Sequence, residues 1–205
     1  NLQLIKREMD MAARIRHPNL LQFIGATIEG EMIILTELMP TSLRRELERK
    51  AHNYMSPEQT ISISLDMARA LNYLHHMRPQ PLIHRDISSA NVLLEPLPNN
   101  RWRAKVSDYG TVNLQEQLQT VFPGSPCYAA PEANDPTQQS PKMDIFSFGA
   151  LLLEMLTGEL PAPEQRARLL RFVRHQRLLA LIRRCLSQNR EDRPTASDII
   201  TELDP

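Results

Sequence analysis

The stretch from Asp144 to Thr157, DIFSFGALLLEMLT, constrains the fold more than any other part of the chain. Read as a helix it is apolar almost all round, and a helix without a polar face has to be covered on every side. Gly158 follows as its stop. No apolar run approaches the ~18 residues of a membrane span, so the cover must come from the chain's other elements. With 205 residues the chain can bury one sizeable core, or one large lobe with part of a small one. The segment is therefore expected at the centre of a lobe.

The rest of the pattern supplies that cover. Leu4, Met11 and Ile15 keep helical spacing up to His17-Pro18-Asn19, where proline stops the helix. Two short apolar runs, LLQFIGATI and MIILTEL, are separated by EGE with Gly30 and predict a hairpin. From Met39-Pro40 onward the chain reads as mostly helical. Ser56, Pro57 and Gln59 form a capping box with proline at the first helical position, and Ile61, Leu65, Ala68 and Leu71 make one apolar stripe behind it. Trp102, Ala104 and Val106 alternate with polar residues as in a half-buried strand, entered through an Asn99-Asn100 turn. Two further helices are expected over LLALIRRCL and TASDIITEL, the second capped by Thr195 and Asp198.

Charge and cysteine usage narrow the function classes. The 24 basic and 24 acidic residues cancel, so no global field recruits nucleic acid or an acidic membrane. Cys127 and Cys185 lie far apart with no C-x-x-C spacing, which argues against a zinc site or a disulfide framework. A reducing compartment follows, either the cytoplasm or the cytoplasmic part of a larger membrane protein.

The chemistry-bearing stretch is LIHRDISSANVLL. His84-Arg85-Asp86 followed by Asn91 fits H-R-D-x-x-x-x-N, the catalytic-loop spacing of protein kinases. Further signals follow in the same order as in that family. Asp108-Tyr109-Gly110 stands where D-F-G stands, Ala130-Pro131-Glu132 matches A-P-E, DIFSFG resembles D-x-W-S-F-G, and Arg193-Pro194 resembles the late R-P whose arginine pairs with the A-P-E glutamate. Upstream, REMDMAARIRHPN resembles the αC helix. Over essentially its whole length the chain resembles the eukaryotic protein kinase superfamily.

The resemblance implies an α+β, protein-kinase-like fold. Residues 1–39 would be a partial N-terminal lobe of one helix, two strands and the hinge, and residues 40–205 the mostly helical C-terminal catalytic lobe. It also implies transfer of the γ-phosphate of ATP, with Mg2+, to hydroxyls of protein substrates in intracellular signalling. Asp86 would be the base, and Asn91 and Asp108 would hold the metal, as hard oxygen ligands suit Mg2+. Glu8 would take the ion-pairing position of αC, Thr36 the gatekeeper position, and Glu37 to Met39 the hinge. Glu8, Thr36, Glu37, Met39, Leu93 and Asp108 would then face the nucleotide. Arg85 resembles the arginine that pairs with a phosphorylated activation segment, for which Thr120 and Ser125 are candidates. Tyr109 replaces the usual Phe in a slot against His84 and Phe23, and its hydroxyl needs a partner there.

Two features bear on acceptor and rate. GSPCYAAPE, Gly124 to Glu132, resembles the segment of serine/threonine kinases rather than that of tyrosine kinases. HRDISSAN carries neither group's usual cation, and this mixture, with RHPNLLQFIGA, resembles the tyrosine-kinase-like group of serine/threonine kinases. Ser88 stands where a catalytic-loop lysine is common. It can donate a hydrogen bond but no charge, so reduced activity is expected. A rival reading is a pseudokinase that acts as a binding or scaffolding module.

None of the six glycines has G-x-G-x-x-G spacing, and none of the four lysines, Lys6, Lys50, Lys105 and Lys142, lies in a V-A-I-K-like strand. The chain begins within a helical pattern and is expected to be a fragment that binds ATP weakly as written. The span from Glu159 to Arg193 is shorter than the family usually has. Within it, EQRARLLRFVRHQR is expected to form a solvated helix face. His84 is expected to pack and hydrogen-bond, and His75-His76 to lie on the surface at a helix end.

Overall fold

The apolar segment forms a helix over Lys142–Thr157, and every residue from Met143 to Met155 is buried. The structure, a computed structural model, describes residues 12–27, 33–49, 54–109 and 125–204. In chain order these include strands β1 (Phe23–Ala26), β2 (Ile34–Thr36) and β3 (Thr41–Ser42), helices α1 (Leu43–Arg49) and α2 (Pro57–His75), and strands β4 (Val92–Leu97) and β5 (Arg101–Val106). Helices α3 (Lys142–Thr157), α4 (Arg166–Leu169), α5 (Gln176–Cys185) and α6 (Ala196–Leu203) follow. The architecture is α+β with few strands and several helices, as expected.

Cover for α3 comes from α2 on one side and α5 on another, while α2 also packs against β5 and α6. Gly158 ends α3 at φ 73°, and its N–H donates to the Glu154 carbonyl at 2.7 Å. Only glycine adopts that left-handed geometry without a Cβ penalty. The α2 capping box is formed, with Gln59 N–H donating to Ser56 Oγ at 3.2 Å and Ser56 N–H donating to Gln59 Oε1 at 3.3 Å. The expected stripe on α2 is too narrow. Ile61 and Leu65 are only half-buried, whereas Thr60, Ile63, Ser64, Met67, Ala70 and Leu74 are buried together with Ala68 and Leu71. Because α2 is sandwiched between α3 and the β5–α6 side, its buried arc is wider than one stripe.

Two sheets position the site. β1 and β2 pair antiparallel as the predicted hairpin, with Ile24, Ile34 and Leu35 exposed. β3, β4 and β5 form a second antiparallel sheet. Asn99 and Asn100 turn β4 into β5 at φ 62° and 55°, a region that asparagine tolerates better than most residues. Ala104 and Val106 point inward and Trp102 is half-buried, as the alternation requires. His17-Pro18-Asn19 docks on this sheet. Leu21 N–H donates to the Val106 carbonyl at 2.9 Å, Val106 N–H to the Asn19 carbonyl at 2.8 Å, and Asn19 Nδ2 to the Ala104 carbonyl at 3.0 Å.

The basic stretch is not one helix. Arg166–Leu169 is a short helix, turns follow, and His175 caps α5 through its side chain, so that Gln176 and Arg177 begin a separate helix. Thr195 and Asp198 form a complete capping box on α6. Leu4, Met11 and Gly30 lie outside the described residues.

Gly149 sets the spacing of α3 and α5, since a Cβ placed there would stand 2.5 Å from the Cβ of Cys185. Gly149→Ala is therefore expected to destabilise the fold by about 1–3 kcal/mol through overpacking. A lower denaturant midpoint relative to the parent chain checks it; an unchanged midpoint would show that the two helices can separate without cost.

Candidate active site

The loop that joins α2 to β4 is suspended from a buried carboxylate. Asp144, in the first turn of α3, is fully buried. Its Oδ2 accepts from His84 N–H and its Oδ1 from Arg85 N–H, both at 2.8 Å. The same Oδ2 accepts from His75 Nε2 at 2.8 Å, so the expectation that His75 lies on the surface is wrong. The side chain is nearly buried because the last turn of α2 faces α3, and its partner is far away in sequence. Burial works to raise the Asp144 carboxyl, but hydrogen bonding and charge from His75, with His84, hold it below the usual carboxylate range.

These bonds hold a bent backbone. Arg85 sits at φ 68° and Asp108 at φ 60°, a left-handed geometry that costs a non-glycine residue of order 1 kcal/mol or more. His84 is fully buried and bridges the two strained positions, as its predicted packing role requires. Its Nδ1 accepts from Asp86 N–H at 3.2 Å and its Nε2 donates to the Ser107 carbonyl at 2.7 Å. Those two bonds fix the orientation of the ring.

Asp86, Asn91 and Asp108 converge where β4 begins and β5 ends. Asn91 Nδ2 donates to the backbone carbonyl and to Oδ2 of Asp86, both at 2.8 Å. Ser107 N–H and Oγ both donate to the Asn91 carbonyl, at 2.9 and 3.1 Å. Desolvation pushes the Asp108 carboxyl up, with His84 opposing and the Asp86 charge reinforcing. An Asp108 carboxylate raised by burial and by the neighbouring Asp86 charge suits a hard divalent cation. Among the described residues no three His, Cys, Asp or Glu side chains cluster as a metal site.

The two serines differ. Ser88 is buried at 4% exposure, and its carbonyl accepts Asn91 N–H at 3.1 Å. Ser89 is fully buried and donates from Oγ to Glu154 Oε1 at 3.0 Å, while Tyr128 Oη donates to Glu154 Oε2 at 2.6 Å. Arg44 completes the group, with Nη2 donating to Tyr128 Oη at 3.2 Å and its backbone N–H to the Ser89 carbonyl at 2.9 Å. Burial pushes the Glu154 carboxyl up against the pull of Tyr128, Ser89 and Arg44. This network joins the catalytic-type loop to the segment carrying Tyr128. The available signal was Glu154 itself, an acid inside an otherwise apolar run.

On the hairpin side, Thr36 ends β2 with Oγ1 donating to the Glu37 carbonyl at 3.2 Å. The Glu37 carboxylate accepts Lys105 Nζ at 2.7 Å on both oxygens and Gln22 N–H at 2.7 Å. Met39 and Leu93 are half-buried against the main core, and Leu93 is the register partner of Lys105. The Tyr109 hydroxyl finds its partner in the Leu21 carbonyl, and burial pushes its pKa up to about 12. Arg193 meets Glu132 in a two-pronged pair, Nη1 to Oε1 at 2.6 Å and Nη2 to Oε2 at 2.9 Å. Glu8 and Thr120 lie outside the described residues, and Ser125 is half-buried.

Comparison with known proteins identifies the family. Residues 1–203 match the family described as "Protein kinase domain". The chain is 30% identical to the dual specificity protein kinase splA of Dictyostelium discoideum, covering 99% of this chain and 10% of that protein. It is 34% identical to the serine/threonine/tyrosine-protein kinase HT1 of Arabidopsis thaliana, covering 98% of this chain and 54% of the relative. Serine/threonine-protein kinase 12 of the same plant is 34% identical over 77% of this chain and 34% of its own length. The chain thus spans from a tenth to about half the length of these relatives.

The Glu132–Arg193 pair gives a pH-dependent prediction. Burial opposes the charged carboxylate, but the Arg193 hydrogen bonds outweigh it and hold Glu132 below its ordinary value of 4.5. A depressed folded value means the pair stabilises fully above 4.5 and loses its contribution as pH falls through the folded value. Glu132→Ala should cost about 3–5 kcal/mol at neutral pH, with the difference from the parent shrinking in acid. Denaturant midpoints across that range test it; a constant difference would contradict the titration of Glu132.

Proposed function

The chain belongs to the protein kinase family, and from that premise we propose that it moves the γ-phosphate of ATP to serine or threonine hydroxyls of protein substrates. The observation that carries this is the Asn91 amide held on Asp86, 2.8 Å from its Oδ2. One carboxylate oxygen is thereby fixed, and the other is oriented to accept the proton of an incoming hydroxyl. Asn91 Oδ1 and the Asp108 carboxylate are the oxygens that would hold Mg2+. Bound Mg·ATP supplies the transferable phosphoryl group and neutralises its charge. Asp144 keeps Asp86 in place through the two N–H groups before it, and the Ser89–Tyr128–Glu154 network keeps the acceptor-side segment in register with the loop.

Two features refine the reading. Relatives named as serine/threonine and as dual specificity kinases support Ser and Thr as the main acceptors, in keeping with a tyrosine-kinase-like member of the family. A buried serine at position 88 leaves the loop without the usual cation, which favours slow turnover. Both described cysteines are free, consistent with a cytoplasmic domain, alone or as part of a larger membrane protein. Among the described residues no helix is long and apolar enough to cross a membrane.

With the longest native polypeptide that contains these residues, Asp86→Asn should lower phosphate incorporation into a generic Ser/Thr substrate by at least about a hundredfold. Equal incorporation by parent and variant would remove Asp86 as the base, and none by either would favour the pseudokinase reading. Lys105→Ala frees the Glu37 carboxylate and loosens the hinge against the Leu93 strand. Nucleotide titration should then show about fivefold weaker binding, the size of one partly exposed ion pair; unchanged affinity would separate that pair from the nucleotide side.

A further inference from the structure

Arg166 is a half-buried cation with no carboxylate partner among the described residues. Its guanidinium donates from Nε to the Pro161 carbonyl at 2.9 Å and from Nη2 to the Cys127 carbonyl at 3.0 Å. Its Cζ lies 4.9 Å from the centroid of the Phe146 ring. Burial lowers its pKa against the weaker pull of Cys127 and Glu164, so a charge is being kept in a costly place without a direct ion pair. The return is directional, because a guanidinium presents several donors in a fixed fork and can span two carbonyls while it covers a ring face.

The same Phe146 ring also carries Arg193, 5.0 Å away, and Arg193 holds Glu132. The segment Cys127 to Glu132 is therefore held at both ends by arginines that share one buried ring. Between them Tyr128 is fixed by Glu154 through its hydroxyl and by Ser147 Oγ, which donates to its carbonyl at 2.9 Å. The pinned backbone forms one wall of a groove of about 560 Å³, with Pro163, Ala167 and Leu170 opposite and Phe146 among its lining residues.

We propose that Arg166 is a positioning residue for the protein acceptor: it clamps the Cys127 end of the segment next to the catalytic loop, and so sets acceptor affinity without touching the phosphoryl-transfer groups. This rests on the kinase reading above, because it assigns the clamped segment to the acceptor. It also gives the short α4 turn a role, since α4 delivers Arg166 to Cys127 across 39 residues of chain.

Cys127 provides a local reporter, half-exposed beside the clamp, while Cys185 is fully buried and reports loss of the whole fold. In Arg166→Ala, alkylation of Cys127 by iodoacetamide should accelerate about tenfold, as for loss of one hydrogen bond from a charged donor, with Cys185 still unreactive. KM for an acceptor peptide should rise by a similar factor, while KM for ATP and kcat stay at parent values. Arg166→Lys, which keeps the charge but not the fork, should fall between, and Arg171→Ala, an exposed neighbour, should match the parent. Unchanged Cys127 rates would overturn the clamp. Faster Cys127 alkylation with an unmoved acceptor KM would overturn its role in positioning. A parent chain that transfers no phosphate refutes the kinase reading instead, and the thiol rates then still decide whether Arg166 holds the segment.

Discussion

The candidate site depends on the burial of Asp144. A carboxylate fully out of water is tolerated only when its lone pairs are used, and here three donors from two directions use them: His75 from α2, and the backbones of His84 and Arg85 from the loop. One acid thereby couples the central helix, the helix packed beside it and the bend that presents Asp86. The left-handed backbone at Arg85 is offset at the point where it occurs, by the N–H of that same residue. Replacing the acid would orphan two backbone donors and one imidazole together.

Local signals were legible in the sequence because their physics is local. Capping boxes at Ser56 and Thr195, the glycine stop at 158, the alternation along β5 and the Asn-Asn turn each involve residues within a few positions of one another. Readings that needed the third dimension fared differently. The wide buried arc of α2 follows from having neighbours on two sides, which no single helical stripe encodes. His75 lies within a turn of exposed His76, and only the approach of α3 separates their fates. Turns follow Leu169 where a helix face was expected, although Leu169 and Val173 are both buried at a spacing that a helix would also give.

The site itself divides along the same line. The spacing of Asp86, Asn91 and Asp108 pointed to three residues that the structure brings together, since the β4–β5 hairpin converts their separation in sequence into adjacency. The support beneath them was hidden. Ser89, Tyr128, Glu154 and Arg44 come from four separate parts of the chain, and Glu37 meets Lys105 across 68 positions. Both groups turn on a charged side chain whose partner cannot be chosen without knowing which strands and helices are neighbours. In retrospect the acids inside the apolar run were the strongest hint, because a buried carboxylate has to be answered by donors from somewhere.

The ion pairs of this molecule fall into two electrical classes. Arg193 and Glu132 are almost completely enclosed, whereas Lys105 and Glu37 keep 16% and 28% of their side-chain surface in solvent. Mobile ions reach the second pair far more readily than the first. Raising ionic strength therefore weakens the tie between the hairpin side and the β3–β4–β5 sheet, while the pinning of Glu132 against α3 stays intact. The contact between the two sheets thus responds to its ionic surroundings, while the anchoring of Glu132 does not.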